Sequence, residues 1–438
     1  MKKHLLKKSI LVLLSFCLFV QYSCARNDMP QGPIVTTTTD TTAFAKGADI
    51  SWLPQMEATG YKFYNENGIQ EDCFKILKDH GINTIRLRTF VNPSNDKASG
   101  HCSKFETVAM AVRAKSFGMR VMIDFHYSDT WADPSKQAKP AAWVGLNFVQ
   151  LQQALYDYTF DVMTALKVAG VTPEWVQVGN EIPGGMVYPE GSNATSWVQL
   201  VQLINKGYDA IKAVSPTSKV ILHVDQGNNN ARFRWWFDNA KANNAKYDVI
   251  GMSYYPYWLS GSPDYTLSIN ALGSNLLDMA SRYGKEVMVV EVGGLDTNAQ
   301  NTKDMLIAVI NKVLAVPNNA GLGVIYWEPQ GARSWTGYAL SAWGSDNKPT
   351  IAMDAFLTVT ALPNHPASKL TMKLSSENGT LVFNDIVASI ELINLNGIVV
   401  KTSTNSASVT VDNLPRGVYV VRVKSNDSNT PTIFKYIF

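Results

Sequence analysis

Eight short apolar runs, each ending in polar residues and each followed by a stretch of helical spacing, recur along residues 47–329. They are GADISW (47–52), NTIRLRTF (83–90), RVMIDFHYSD (120–129), WVQVGNE (175–181), KVILHVD (219–225), DVIGMSYYP (248–256), EVMVVEVG (286–293) and GVIYWEP (323–329). Strands that alternate with helices pair in parallel through crossovers. Eight such units suit an α/β fold closed as a (β/α)8 TIM barrel of ~250 residues better than an open doubly wound sheet. No glycine-rich loop follows the first run, so the dinucleotide fingerprint is missing and no cofactor is implied.

The connectors fit this reading. In DCFKILKDHG, Phe74, Ile76 and Leu77 follow helical spacing and Gly81 stands as a stop. With 46% hydrophobic and 17% charged residues the chain is globular, and a net charge of +3 without a clustered basic face excludes nucleic acid as the main partner. All eleven tryptophans lie between Trp52 and Trp343. Beyond the proline-broken ALPNHPASK (361–369) the composition turns to Val, Ser, Thr and Asn. There SIELINLNGIVVKTS reads as two strands around an Asn396-Gly397 hairpin, and GVYVVRVKS as another strand. The expected plan is a catalytic barrel over 45–361, a linker over 362–369 and a small all-β, sandwich-like domain over 370–438.

The lysine-rich start and the eleven-residue run from Ile10 to Val20 read as an export signal over residues 1–24, too short for the ~20 residues that span a bilayer. Cys24 is a candidate for lipidation, ordinary cleavage being the alternative, and the Thr-rich segment 25–44 would then be a tether. The expected location is secreted or at the cell surface. Cys73 and Cys102 have no spacing that demands a disulfide.

Reactive groups of a barrel project from the C-terminal ends of its strands. Run four delivers Asn180 and Glu181 there, and run seven brings Glu291 up behind the apolar Met288–Val290. A carboxylate buried at such a place needs partners; Arg86, Arg88, His223, Tyr254 and Tyr255 are the candidates. Two carboxylates facing one cavity suit glycosidic cleavage, one group donating a proton to the leaving oxygen and the other attacking the sugar or activating water. Trp327, Trp52, Trp131, Trp258 and Trp343 supply flat faces for sugar rings. His126, Asp129 and Asp133, crowded after run three, are read as binding substrate hydroxyls. They lack the donor density of a calcium loop, and no metal is expected.

The motifs GADISWLPQMEATG, IRLRTFVNP, DFHYSDTWADP, WVQVGNEIPGG, HVDQGNNN, DVIGMSYYPYW and VVEVGG, in this order, resemble the arabinogalactan endo-β-1,4-galactanases of glycoside hydrolase family 53. The resemblance runs from about Ala45 to Ala361 and implies retaining hydrolysis of β-1,4-galactan, with Glu181 as acid/base and Glu291 as nucleophile. It further implies Asn180 on the sugar 2-hydroxyl, Arg86 and Tyr255 (or the adjacent Tyr254) steadying the nucleophile, and His126 and Trp327 facing substrate. The loop PQGARSWTGYALSAWGSDNKP has few acids, so the calcium of some bacterial relatives is not carried over. The tail resembles C-terminal sorting domains of exported Bacteroidetes proteins and implies surface attachment. The rival readings are a related hydrolase of mannan, xylan or glucan, and a non-catalytic glycan-binding protein.

Overall fold

In the computed structural model, which describes residues 44–358, 372–375, 379–424 and 432–437, each of the eight runs forms a strand. These are β1 (Ala45–Asp49), β2 (Thr84–Thr89), β3 (Arg120–Phe125), β4 (Trp175–Val178), β5 (Lys219–Val224), β6 (Val249–Tyr254), β7 (Glu286–Val292) and β8 (Gly321–Trp327). Each pairs in parallel with the next, and β1 pairs with β8 to close the barrel.

Helices wrap the outside. A short α1 (Leu53–Ala58) precedes α2 (Cys73–Asp79), and α3 (Lys104–Ser116), α4 (Phe148–Val168), α5 (Trp197–Val214), α6 (Asn230–Ala242), α7 (Ile269–Tyr283) and α8 (Ala299–Leu314) follow one per crossover. The Asp72 side chain caps α2 by accepting the Phe74 N–H, and Ser103 with Glu106 forms a reciprocal capping box on α3. After β8 a 3-10 helix, Ile351–Phe356, stands where an eighth long helix would, burying Met353 and Phe356.

Strand alternation divides the barrel interior into two levels. The lower one is apolar: Ala45, Met122, Trp175, Ile221, Met288 and Ile325 form one buried cluster, each large side chain contributing ~1.5–3 kcal/mol by burial. Nearer the C-terminal ends of the strands stand Asp49, Arg86, Arg88, Asp124, Gln177, His223 and Ser253, all buried. The apolar layer thus carries a polar one above it. Cys73 and Cys102 are both buried free thiols.

The tail strands β9 (Met372–Ser375), β10 (Thr380–Asn394), β11 (Val399–Thr410), β12 (Val418–Lys424) and β13 (Thr432–Ile437) form one antiparallel sheet of five strands. It has its own core, which includes Leu381, Phe383, Ile390, Leu392 and Val421. The hairpin expected at Asn396-Gly397 joins β10 to β11: Gly397 has φ 79°, and Asn394 Oδ1 accepts the N–H groups of Asn396 and Ile398. The export signal, Cys24, the segment 25–43 and the linker 362–369 lie outside the described residues.

Candidate active site

Alternation along β4 would send Asn180 and Glu181 to opposite faces. They share one cavity because the backbone turns beneath them. Gly179 has φ 84°, and a Cβ built there would meet Ile182 Cγ2 at 2.7 Å, so both conformation and space require glycine. Glu181 itself has φ 42°, a left-handed conformation costing a non-glycine residue ~1–3 kcal/mol. Three contacts hold it: Gln137 Nε2 donates to the Asn180 and Glu181 carbonyls at 2.9 and 3.1 Å, and the Ile182 N–H to the His223 carbonyl at 2.9 Å.

Glu291 reaches the cavity by a different device. Met288 and Val290 both face the barrel interior, so strict alternation would turn Glu291 outward. The β6–β7 register shifts instead: Met252 pairs with Val289, but Ser253 pairs with Glu291. Val290 is the extra residue of a bulge, which re-aims the next side chain inward.

Arg86 organises the floor. Its Nη2 lies 2.8 Å from Glu291 Oε1 and 2.9 Å from Asp124 Oδ2, and donates to Asn180 Oδ1 at 3.0 Å. Its Nη1 reaches Asp49 Oδ2 at 2.8 Å and its Nε Gln177 Oε1 at 2.7 Å. The Tyr255 hydroxyl donates to Glu291 Oε2 at 3.2 Å, whereas the Tyr254 hydroxyl turns away to Ser268. Glu181 Oε1 accepts from Ser253 Oγ at 2.6 Å. His126 Nδ1 accepts the Ala132 N–H at 2.9 Å, so its Nε2 carries the proton directed at Asp124 Oδ2, 3.0 Å away.

Burial, then the charge of Glu291, pushes the Glu181 carboxyl well above the usual carboxylate range. Burial also raises Glu291, to about 7, but the Arg86 guanidinium pulls it down. Against this common rise the Arg86 guanidinium favours the negative charge on Glu291, so Glu181 is the carboxyl that holds its proton more firmly.

The cavity above measures about 650 Å3 and is lined by Trp131, Asn180, Glu181, Tyr255, Glu291 and Trp327, among others. Trp327 stands edge-on to Trp131 at 5.8 Å and to Tyr338 at 4.8 Å. Trp258 lines the cavity while 66% exposed, ready to cover a sugar at its edge. His126 and Asp133 line it as well.

Several expected substrate contacts fall elsewhere. Asp129 does not line the cavity; its two oxygens accept the Asn92 and Ala141 N–H groups and tie loops together. His223 and Arg86, expected as partners of a buried carboxylate, are themselves fully buried and do not line the cavity. Trp343 is buried and packs edge-on to Phe63, and Trp52 is also buried, its indole N–H on the Ala98 carbonyl. Side chains absent from the expected site include Gln177, Ser253, Asp225 and Tyr338. For Gln177 and Ser253 the available signal is the polar residue at the last inward position of each of the first six strands.

Residues 45–358 match the family described as glycosyl hydrolase family 53, and residues 361–435 a secretion system C-terminal sorting domain. The chain belongs to glycosyl hydrolase family 53. Among its relatives, an endo-beta-1,4-galactanase of Bacillus subtilis is 34% identical over 311 residues, 65% of this chain and 70% of the relative. An arabinogalactan endo-beta-1,4-galactanase of Cellvibrio japonicus is 34% identical over 322 residues, 67% of this chain and 82% of the other. The family 53 catalytic domain from Ignisphaera aggregans superposes with a TM-score of 0.66 at 29% identity, covering 72% of this chain and 96% of that one. The family 53 barrel is thus an enzyme, a glycoside hydrolase, and its sorting tail supports export and association with the cell surface.

Proposed function

We propose that the protein is a retaining endo-hydrolase of β-1,4-linked galactan, working by double displacement. In the first step a Glu291 oxygen bonds to the sugar C1 as the C1–O glycosidic bond breaks, and the leaving oxygen takes the Glu181 proton. In the second, water attacks C1, the ester bond to Glu291 breaks, and the water proton returns to Glu181. The observation that carries this reading is the asymmetry of two carboxylates on one cavity, one held against a guanidinium and a phenol, the other against a single hydroxyl. Such settings separate a standing anion from a proton donor. Asn180, fixed through both ends of its amide, is placed to receive the sugar 2-hydroxyl, and Trp327 and Trp258 to cover ring faces. The substrate follows from the galactanase relatives.

Reducing-sugar release from galactan, mannan, xylan and glucan tests the substrate. Galactan is expected to be cut at least ~100-fold faster, a pocket's hydrogen bonds rejecting the wrong hydroxyl pattern strongly. NMR of early products should show the β-anomer first; an α-anomer first would overturn double displacement, and no hydrolysis of any polymer would leave a glycan-binding protein. Glu181→Gln should lower kcat on galactan by about 10²–10⁴-fold, the usual contribution of a general acid.

The tail is proposed to direct secretion and surface retention, with the barrel catalytically self-sufficient. Removing residues 370–438 should leave activity on soluble galactan unchanged while cell-bound activity disappears from the producing cells. Retention of full cell-bound activity would remove this role.

A further inference from the structure

Ser253 and His223 touch no reacting atom in the proposed reaction, yet they join the two halves of the site. Arg86 is the starting point because a guanidinium only donates. Its Nε gives a hydrogen bond to Gln177 Oε1 at 2.7 Å. That contact orients the Gln177 amide, whose Nε2 lies 3.0 Å from His223 Nδ1. The Glu181 backbone N–H points at the same nitrogen at 3.3 Å. With two donors facing it, Nδ1 is the acceptor and the imidazole proton sits on Nε2. Asn180 Oδ1, 3.2 Å from Nδ1, already accepts from Arg86. Burial, reinforced by the Arg86 charge, holds His223 well below its ordinary value and therefore neutral. Its Nε2–H then donates to Ser253 Oγ at 2.7 Å, leaving the serine hydroxyl to donate to Glu181 Oε1 at 2.6 Å.

Every bond in this chain runs one way, away from the arginine. We infer that Gln177, His223 and Ser253 are positioning residues that dictate which oxygen of Glu181 carries the catalytic proton. Because Oε1 is committed as an acceptor, the proton resides on Oε2. No proton travels along the chain; it sets a direction and holds the carboxylate after its proton has left. The same Arg86 thereby fixes the nucleophile directly, through Nη2, and the acid indirectly, through Nε.

The inference rests on the reading of Glu181 as the acid/base, and substrates differing in leaving group separate the two ideas. An acid matters when the leaving group is a sugar hydroxyl and hardly at all when it is a dinitrophenolate. In Ser253→Ala, kcat/KM on galactan should fall about 10–100-fold. On a dinitrophenyl β-galactobioside the fall should stay under ~3-fold. A mis-packed site would lose both equally. The charged groups facing Glu181 are Glu291, Asp225 and Arg86, and all remain in this variant. With the serine donor gone, the Glu181 anion loses a charge-assisted hydrogen bond, so the alkaline limb of the kcat/KM profile should move up by about one pH unit. Ser253→Thr, which keeps the hydroxyl, should restore both readouts, and His223→Phe should reproduce the alanine pattern.

Equal losses on both substrates, or an unmoved alkaline limb, would overturn the relay. If Glu181→Gln itself shows no dependence on leaving group, the acid assignment falls first and the relay with it. If Glu181→Gln shows it and Ser253→Ala does not, the relay alone is wrong.

Discussion

Glu291→Ala is expected to abolish turnover of galactan, with kcat down about 10⁴-fold or more, since the residue forms the covalent bond that divides the reaction into two easier steps. The barrel should stay folded, because Arg86 keeps its contacts to Asp49, Asp124, Asn180 and Gln177. The loss has a chemical signature. Azide, small enough to enter the space left by the carboxylate, should restore cleavage of a dinitrophenyl β-galactobioside and release an α-galactosyl azide, attack having come from the vacated face. Under the same treatment Glu181→Ala should yield the β-azide, because there the covalent intermediate still forms. An α-azide from the Glu181 variant, or unimpaired hydrolysis by the Glu291 variant, would reverse or remove the assigned roles.

Arg86→Met should have the second largest effect, and on two properties together. Five buried oxygen acceptors from Asp49, Asp124, Gln177, Asn180 and Glu291 lose their common donor. Removing one partner of a buried ionic network costs ~3–5 kcal/mol, or about 5–8 °C of melting temperature for a domain of this size. Arg86→Lys should recover little of it, since one ammonium cannot reproduce the planar fork. Without the guanidinium Glu291 rises further, so the acid limb of the activity profile should move to higher pH. The stability loss has a pH window of its own. Burial alone would raise Asp124, but Arg86 and His126 outweigh it and hold that carboxyl at about 2. A depressed carboxyl contributes stability above its unfolded value, ~3.9, and loses the contribution as pH falls through the folded one. Part of the gap in melting temperature between parent and variant should therefore be present above pH ~4 and close toward pH ~2. A gap independent of pH would mean that Asp124 draws nothing from Arg86.

Much of this was legible from local pattern. The eight strands, the parallel closure they imply, the change of character beyond residue 361 and the Asn396-Gly397 hairpin all follow from periodicity and turn chemistry. Asn180, Glu181 and Glu291 were recognisable as polar residues at strand ends, and the motifs around them carry the family. What periodicity misjudged was contact. Asp129, Trp343 and His223 look alike in sequence to residues that meet a substrate, yet one ties loops, one packs against Phe63 and one lies beneath the floor.

The amino-acid sequence by itself determined the barrel, the sheet-forming tail and the pair of strands that end in glutamates, because hydrophobic alternation and turn residues act over a few positions at a time. Only the tertiary structure decided that both glutamates face one cavity. Strict alternation would have separated Asn180 from Glu181 and turned Glu291 away from the interior. The left-handed Gly179 and the extra residue Val290 correct these directions, and both depend on how one strand registers against its neighbours. The choice of Arg86 as the group serving both carboxylates is likewise made in space, since its partners come from β1, β3, β7 and the β4 segment of the closed barrel.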